Sequence, residues 1–320
     1  MPETSERSAG AFQKIVSILE MIRFSHTIFA LPFALLAAVM CWTVPPLESV
    51  GMELPGFQAI HLLGIVVCMV FARSAAMAFN RVVDHKIDEE NPRTLNRHIP
   101  AGILSLKSVI IFTLINSLLF VAATLLFLPN RLPIYLSVPV LGLLCLYSYT
   151  KRFTSLAHFY LGISLMLAPI STWIALRGEV MMASPADCLP AVVIGLIVLF
   201  WVGGFDIIYA CQDAVFDKVA KLKSVPAKLG VKMALRVAAL SHLVMIGCML
   251  LLPMVHHAGG PELALGGIYY TAVASVATLL IYEHSMVKTD DLTRVNIAFF
   301  NVNSVISVGL FLIVSLDLLI

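Results

Sequence analysis

The chain has 320 residues, of which 60% are hydrophobic and 12% charged, and its net charge is +2. Soluble domains average about 25% charged residues, so this composition excludes a soluble globular enzyme and a disordered chain. The small net charge gives no reason to expect a nucleic-acid partner, and no feature of the sequence indicates an obligate protein partner.

Nine mostly apolar stretches are each long enough, at about 20 residues, to cross a bilayer as a helix. In chain order they are 24–44, 58–80, 107–128, 132–149, 155–176, 189–212, 233–255, 263–284 and 295–317. The fourth stretch is the shortest and is interrupted by Pro133 and Pro139, so eight spans is the alternative count. We therefore predict an all-α, polytopic membrane helix bundle of about nine transmembrane helices.

A single membrane-embedded domain is expected over residues 1–320, because no Ser/Gly-rich linker divides the chain, and residues 1–12 are expected to be flexible. With nine spans, nearly all lysines and arginines lie in loops on one side. The other side receives only Arg131 and Arg177. By the positive-inside rule the basic side is cytoplasmic. We expect a multi-pass protein of the bacterial inner membrane with a cytoplasmic N-terminus.

Two acidic motifs follow the second and sixth stretches, which run in the same direction. They are Asn80-x3-Asp84-x3-Asp88 and Tyr209-x3-Asp213-x3-Asp217. Residues i and i+4 share a helix face, so each motif is expected to stack a polar group and two carboxylates along one stripe at a cytoplasmic helix end. Such carboxylates repel each other and are disfavoured by the helix dipole. A bound divalent cation would remove both penalties.

Mg²⁺ is the cation that these motifs indicate, because it takes oxygen ligands and is usually held by one or two carboxylates together with substrate phosphates. Two facing pairs of aspartates suit two Mg²⁺ ions that clamp a diphosphate. The predicted metal ligands are Asn80, Asp84, Asp88, Asp213 and Asp217. The alternative interpretation is that these are ordinary solvated groups at a membrane surface.

Basic residues follow both motifs and are candidates for binding diphosphate oxygens. The stronger candidates are Arg97, Lys151 and Lys223, and the weaker ones are Arg93, Arg152 and Lys221. The alternative for each is an ordinary positive-inside residue. Tyr209 lies one helical turn before Asp213 and is either a hydrogen-bond donor to the leaving diphosphate or an interfacial aromatic.

These motifs resemble those of the UbiA superfamily of intramembrane prenyltransferases. The family pattern is N-D-x2-D-x3-D in one loop and D-x3-D in another, with about nine helices. Tyr147 to Arg152 also resembles the family's Y-x-K-R loop. Arg81 stands where many members have Asp, and His98 stands where many have Pro. Both departures fit a bacterial subgroup described as 4-hydroxybenzoate polyprenyltransferase-like.

The resemblance implies Mg²⁺-dependent transfer of a polyprenyl group from its diphosphate to a carboxylated aromatic acceptor in quinone biosynthesis. The acceptor is 4-hydroxybenzoate for ubiquinone or a dihydroxynaphthoate for menaquinone. The implied substrates are a polyprenyl diphosphate and an aromatic acid, with the lipid bilayer around the protein. The implied catalytic residues are Asp84, Asp88, Asp213, Asp217 and Tyr209.

Arg73 and Asp206 are the charges placed deepest within the apolar stretches, each seven residues before a motif residue. Charges in a bilayer are costly and usually face an interior cavity. One hypothesis is that they pair with each other and brace the bundle. The other is that Arg73 binds the acceptor carboxylate as a bidentate fork while Asp206 orients the phenol hydroxyl.

A secondary transporter is the alternative function, because intramembrane Arg and Asp residues also occur in transport sites. It does not explain acidic clusters at one membrane face, since transport sites usually lie near the midplane. No role is expected for the histidines of the apolar stretches, which include His158 and His242.

Overall fold

The computed structural model describes residues 11–22, 24–46, 51–53 and 56–320. Throughout these ranges the regular secondary structure is helical, without a strand. The all-α prediction is therefore confirmed. Most of the predicted flexible terminus, residues 1–10, lies outside the described ranges.

Thirteen α-helices are described, joined in places by short 3₁₀ turns. They are α1 Ala11–Met21, α2 Leu31–Thr43, α3 Ala59–Glu90, α4 Leu106–Ala123, α5 Leu132–Phe153, α6 Ala157–Ala183, α7 Leu189–Ala210, α8 Ala214–Val219, α9 Val225–Leu229, α10 Val231–Leu251, α11 Gly267–Met286, α12 Val295–Ile297 and α13 Asn303–Leu319.

Seven helical segments of the described chain are long and apolar enough to cross a bilayer, and they match seven of the nine predicted stretches. The other two stretches also form helices, but neither is among these seven. Helix α2 is short, with 13 residues, and α11 is less apolar because it contains several hydroxyl-bearing residues and Glu283. The count of nine therefore stays a prediction. The fourth stretch is a continuous helix, α5, because Pro133 lies in its first turn and the helix continues through Pro139.

Helix α3 carries the first acidic motif beyond the apolar part of the bundle. It has 32 residues, which at 1.5 Å per residue is about 48 Å, against about 30 Å for the hydrocarbon core of a bilayer. Its last turns therefore extend past the hydrocarbon, and Asp84 and Asp88 lie on them. The helix ends at Glu90, and the next residue, Asn91, adopts an extended conformation as expected before Pro92.

Helix α7 packs between α6 and α10 and presents the second acidic motif at the same end of the bundle. The sequence predicts that this motif lies on one continuous helix, and that prediction is wrong. Helix α7 ends at Ala210, and a 3₁₀ turn over Cys211–Asp213 separates it from α8. A 3₁₀ turn has about 3.0 residues instead of 3.6, so Tyr209, Asp213 and Asp217 do not form the straight i, i+4 stripe that α3 offers.

Candidate active site

Three chain segments meet where helices α3, α5 and α7 end. The segment after α3 reaches the second motif, because Arg93 forms an ion pair with Asp213. The last turn of α5 joins the segment after α8, because the Lys223 N–H donates to the Lys151 carbonyl over 2.7 Å. The structure thus brings both acidic motifs and the predicted basic residues to one end of the bundle.

Asp84 is the most buried carboxylate of the first motif, with 2% of its surface exposed. Its Oδ2 accepts hydrogen bonds from Lys151 Nζ over 2.7 Å and from Asn80 Nδ2 over 3.0 Å. Its Oδ1 lies 3.4 Å from the guanidinium of Arg152. Lys151 and Arg152 therefore neutralise a carboxylate that is costly to bury as an isolated charge.

Asp88 has a separate cation, because Nη1 of Arg97 contacts both of its carboxylate oxygens, at 2.6 and 2.7 Å. Arg81, which stands where many UbiA-like sequences have an acidic residue, lies 4.0 Å from Asp88. Arg81 also donates to the amide oxygen of Asn80 over 3.3 Å. The substitution at position 81 thus replaces a potential metal ligand with a positive charge between Asn80 and Asp88.

Arg93 clamps the second motif. Its Nε donates to Oδ1 of Asp213 over 2.7 Å, its Nη2 donates to Oδ2, and its Nη1 donates to the Tyr209 hydroxyl over 2.8 Å. Asn91 adds a hydrogen bond to Asp213 Oδ1 over 3.2 Å. Burial lowers the pKa of Arg93, but hydrogen bonds to Asp213 and Tyr209 outweigh it and hold the pKa above its ordinary value. Sequence reasoning ranked Arg93 among the weaker candidates.

The remaining predicted basic residues lie at the edge of this site. The Lys223 ammonium donates to the Phe153 carbonyl over 3.1 Å, so it is bound to the chain backbone instead of to a carboxylate. Lys221 adopts a left-handed conformation, with φ of 55°, in the turn after α8. Asp217, on α8, is half-buried and hydrogen-bonds to Ser224.

The donor atoms at the site suit Mg²⁺ better than a softer metal, since they are carboxylate and amide oxygens. Within the described ranges, no three His, Cys, Asp or Glu side chains already form a metal-binding cluster. Three of the aspartates instead have basic partners of their own. This arrangement fits a metal that arrives with a diphosphate, because substrate phosphates then supply the ligands that the protein lacks and also bind the basic side chains.

A cavity of about 190 Å³ extends from the site into the bundle between α3, α5 and α6. Its wall along α3 runs from Asn80 to Ile65, a distance of about 22 Å at 1.5 Å per residue. Most of the lining is apolar, but Arg73 and Tyr147 face it. The predicted deep arginine therefore lies in a cavity wall below the first motif.

Asp206 has His158 as its hydrogen-bond partner, with Nδ1 of His158 2.7 Å from Asp206 Oδ2. The brace hypothesis paired Asp206 with Arg73, and the observed partner is different. Sequence reasoning assigned His158 no role, and no local signal would have found it, since it lies 48 residues from Asp206 along the chain.

The profile of the UbiA prenyltransferase family matches residues 30–305, most of the chain. The chain belongs to the UbiA prenyltransferase family. Curated relatives of this family member include the 4-hydroxybenzoate octaprenyltransferase of Vibrio atlanticus, which is 30% identical over 81% of this chain and 86% of its own length. The enzyme of the same name from Nitrosomonas eutropha is 31% identical over 81% of this chain and 83% of its own.

Solved structures support the same family assignment. An apo UbiA homologue from Aeropyrum pernix K1 aligns with a TM-score of 0.74 at 28% identity, over 91% of this chain and 98% of its own. A UbiA homologue from Archaeoglobus fulgidus bound to GPP and Mg²⁺ aligns with a TM-score of 0.63 at 16% identity, over 93% and 99% of the two chains, and shows the shared fold. This UbiA-family protein is therefore an integral membrane enzyme, an aromatic polyprenyltransferase, and the transporter alternative is set aside.

Proposed function

We propose that this enzyme transfers a polyprenyl group from its diphosphate to a carboxylated aromatic acceptor in quinone biosynthesis, with Mg²⁺, at the cytoplasmic face of a bacterial inner membrane. The observation that carries the proposal is the set of buried, cation-paired aspartates at the mouth of an apolar cavity that contains one arginine. The names of the Vibrio and Nitrosomonas relatives favour 4-hydroxybenzoate over a dihydroxynaphthoate.

The aspartates of both motifs and Asn80 are the proposed ligands of Mg²⁺. When bound, Mg²⁺ stabilises the negative charge that develops on the departing diphosphate. Lys151, Arg97 and Arg93 lie within 2.8 Å of the aspartates that they pair with and are charged donors for the same phosphate oxygens. Each of them would exchange its carboxylate for phosphate when the substrate binds.

The cavity wall is proposed to shield the allylic cation and hold the prenyl chain. The C–O bond of the prenyl diphosphate breaks and its electron pair leaves with the diphosphate. Apolar side chains between α3, α5 and α6 exclude the water that would otherwise capture the cation. The chain then extends from Asn80 towards Ile65, away from the charged mouth.

Arg73 is the proposed binding group for the acceptor carboxylate, since a guanidinium matches a carboxylate bidentately. Asp206 is the proposed partner of the phenol hydroxyl. This hydroxyl activates the ring carbons beside it, and one of them forms the new C–C bond to the prenyl group. The ring proton at that carbon is then released and aromaticity returns.

The deciding experiment is a prenyl-transfer assay on purified protein with Mg²⁺ and a polyprenyl diphosphate. 4-Hydroxybenzoate and 1,4-dihydroxy-6-naphthoate are offered separately, and Asp84→Asn is the control. We expect product from one acceptor, an absolute dependence on Mg²⁺, and at least about 10²-fold loss in Asp84→Asn with unchanged membrane insertion. Full activity of Asp84→Asn would show that Asp84 is not a required metal ligand. The absence of product from both acceptors would refute the proposed substrates.

Arg73→Lys tests the acceptor site separately. Lysine keeps the positive charge but cannot bind the acceptor carboxylate with two parallel hydrogen bonds. The loss of one hydrogen bond to a charged group costs about 1.5–3 kcal/mol of binding free energy. We expect KM for the carboxylated acceptor to rise about 10- to 100-fold, with little change for a phenol that lacks the carboxylate. Equal losses for both acceptors would mean that Arg73 braces the bundle instead.

A further inference from the structure

His158 and Asp206 form a contact deep in the protein, below the second acidic motif. His158 is the second residue of α6, and Asp206 lies on α7 seven residues before Asp213. The imidazole is 6% exposed and the carboxylate 18% exposed, so the carboxylate still has an open side. This pair is not among the side chains that the two acidic motifs supply.

Hydrogen bonding determines which nitrogen of His158 carries the proton. The backbone N–H of Val225 points at Nε2 over 3.3 Å, and because an N–H can only donate, Nε2 is the acceptor. Nδ1 therefore carries the proton of the neutral ring and donates it to Asp206 Oδ2 over 2.7 Å. A backbone group, which cannot rotate away, thus holds the imidazole in one tautomer and one orientation.

The same contact leaves the carboxylate with one oxygen for another partner. His158 engages Oδ2, and among the described residues Oδ1 makes no hydrogen bond. Tyr147, which lines the cavity, is close enough to Asp206 to interact with it electrostatically. Asp206 is therefore near a residue of the cavity wall, and its carboxylate keeps one oxygen without a hydrogen bond from any described residue.

We infer that His158 is a positioning residue, which holds Asp206 so that Oδ1 receives the hydroxyl of the aromatic acceptor. This inference rests on the proposed function. The phenol proton moves to Oδ1 as the ring carbon bonds to the prenyl carbon, giving a neutral dienone. The dienone loses its ring proton to the departed diphosphate while Asp206 returns its proton to the oxygen, so one proton is released with the diphosphate.

The test compares His158→Leu, His158→Asn and His158→Gln. An Asn side chain places its amide nitrogen near the position of Nδ1, whereas Gln extends it by one carbon. We expect kcat/KM for the acceptor to fall about 10- to 100-fold in His158→Leu and to recover largely in His158→Asn, with KM for the prenyl diphosphate unchanged. His256→Asn, which changes an exposed histidine in the 3₁₀ turn that follows α10, is the matched control and should have wild-type activity.

A ring-fluorinated acceptor distinguishes a positioning role of His158 from a merely structural one. A structural role would give the same loss of activity with the fluorinated and the parent acceptor. Its hydroxyl is more acidic and needs less help from Asp206, so His158→Leu should lose less activity with it than with the parent acceptor. Equal losses with both acceptors, or an equal rise in KM for the prenyl diphosphate, would overturn the inference. So would wild-type kcat/KM in His158→Leu.

Two further outcomes keep the test decisive. If His158→Leu does not insert into the membrane, the comparison of Asn with Gln decides, and the inference requires Asn to be clearly the more active of the two. If the wild type prenylates neither acceptor, the proposed function fails and this inference fails with it. If the wild type is active but the variants depart from the expected pattern, only the role of His158 is refuted.

Discussion

Each of three site aspartates is balanced by a basic side chain that comes from a different part of the chain. Asp84 has Lys151, Asp88 has Arg97 and Asp213 has Arg93. Buried or half-buried carboxylates in this position need a compensating charge to remain ionised. The pairs therefore keep these carboxylates ionised, as the proposed metal site requires, and they hold the cations that are proposed to bind the diphosphate.

Arg93 offers the clearest test of this interpretation. Arg93→Lys keeps the positive charge but cannot contact Asp213 and Tyr209 at the same time. Arg93→Gln loses the charge as well as these contacts. We expect kcat/KM for the prenyl diphosphate to fall about 10-fold and about 100-fold respectively. The control is Arg236→Gln, an exposed basic residue on α10. Wild-type activity in Arg93→Gln would show that the pair is a surface contact without a role in catalysis.

Another buried ion pair, between Arg177 and Asp187, lies at the end of α6 that is farther from the candidate active site, and it has a structural role. Arg177 and Asp187 are fully buried, and Arg177 Nε contacts Asp187 over 3.0 Å while its Nη1 donates to the Val44 carbonyl over 2.6 Å. Trp173 donates to the same carboxylate over 3.0 Å. The pair thus ties the end of α2 to α6 and to the start of α7.

Arg177→Met should destabilise the protein by about 3–5 kcal/mol, because it leaves the Asp187 carboxylate buried without its cation. Arg177→Met combined with Asp187→Leu should lose less than Arg177→Met alone, since no charge is then unpaired. Unfolding of the purified protein in a denaturing detergent measures both. An additive double variant would show that the two residues contribute independently.

At the scale of elements, the start of α13 is shaped by one asparagine. A π-helical turn at Ala298–Val302 precedes α13, and such turns leave backbone carbonyls without their usual donors. Asn303, fully buried, donates to the Phe299 carbonyl over 3.1 Å and to Glu283 over 2.9 Å, and accepts from Trp201. The turn directs Phe299 onto the Tyr209 ring, at 4.4 Å between centroids.

Asn303→Leu is expected to destabilise the protein by about 2–4 kcal/mol, since Glu283 and Trp201 lose a buried hydrogen-bond partner. Prenyl transfer should also fall, because Phe299 supports Tyr209 at the active site. Asn116→Leu is the matched control, as that buried asparagine donates only to the Phe112 carbonyl one turn away. Similar thermal unfolding of the two variants would contradict a special role for Asn303.

At the scale of the whole molecule, the cavity connects the charged mouth to the apolar interior. Cys68 lines the cavity on α3, 12 residues from Asn80, which is about 18 Å along the helix. A prenyl chain of two isoprene units does not reach this depth, whereas a long polyprenyl chain does. The position of the lining residues along α3 is therefore expected to discriminate between donors by length.

Cys68→Trp should block the deep part of the cavity. We expect geranyl diphosphate to remain a substrate, while kcat/KM for a long polyprenyl diphosphate falls at least about 10-fold. Leu118→Trp places the same side chain on the exposed face of α4, where Leu118 is 70% exposed, and should leave both donors unaffected. Equal loss for short and long donors in Cys68→Trp would refute the proposed path of the chain.

Several properties follow from short-range features of the sequence and were predictable from it. Apolar stretches of helix-spanning length, the placement of Lys and Arg in loops and the Asp84 and Asp88 spacing on α3 all lie within local segments. A bilayer acts on each segment by its own composition, so the all-α membrane fold and the enzyme family were predicted correctly. The count of nine spans stays a prediction because α2 and α11 are marginal by the same measure.

The pairing of charges was decided by tertiary structure. Lys151 reaches Asp84 across 67 residues and Arg93 reaches Asp213 across 120, and no local pattern specifies which cation serves which carboxylate. The 3₁₀ turn that interrupts the second motif and the contact of His158 with Asp206 likewise depend on how α6 and α7 pack. Sequence by itself determined which residue types gather at the membrane face, while packing determined their partners, because distances between segments exist only in the folded chain.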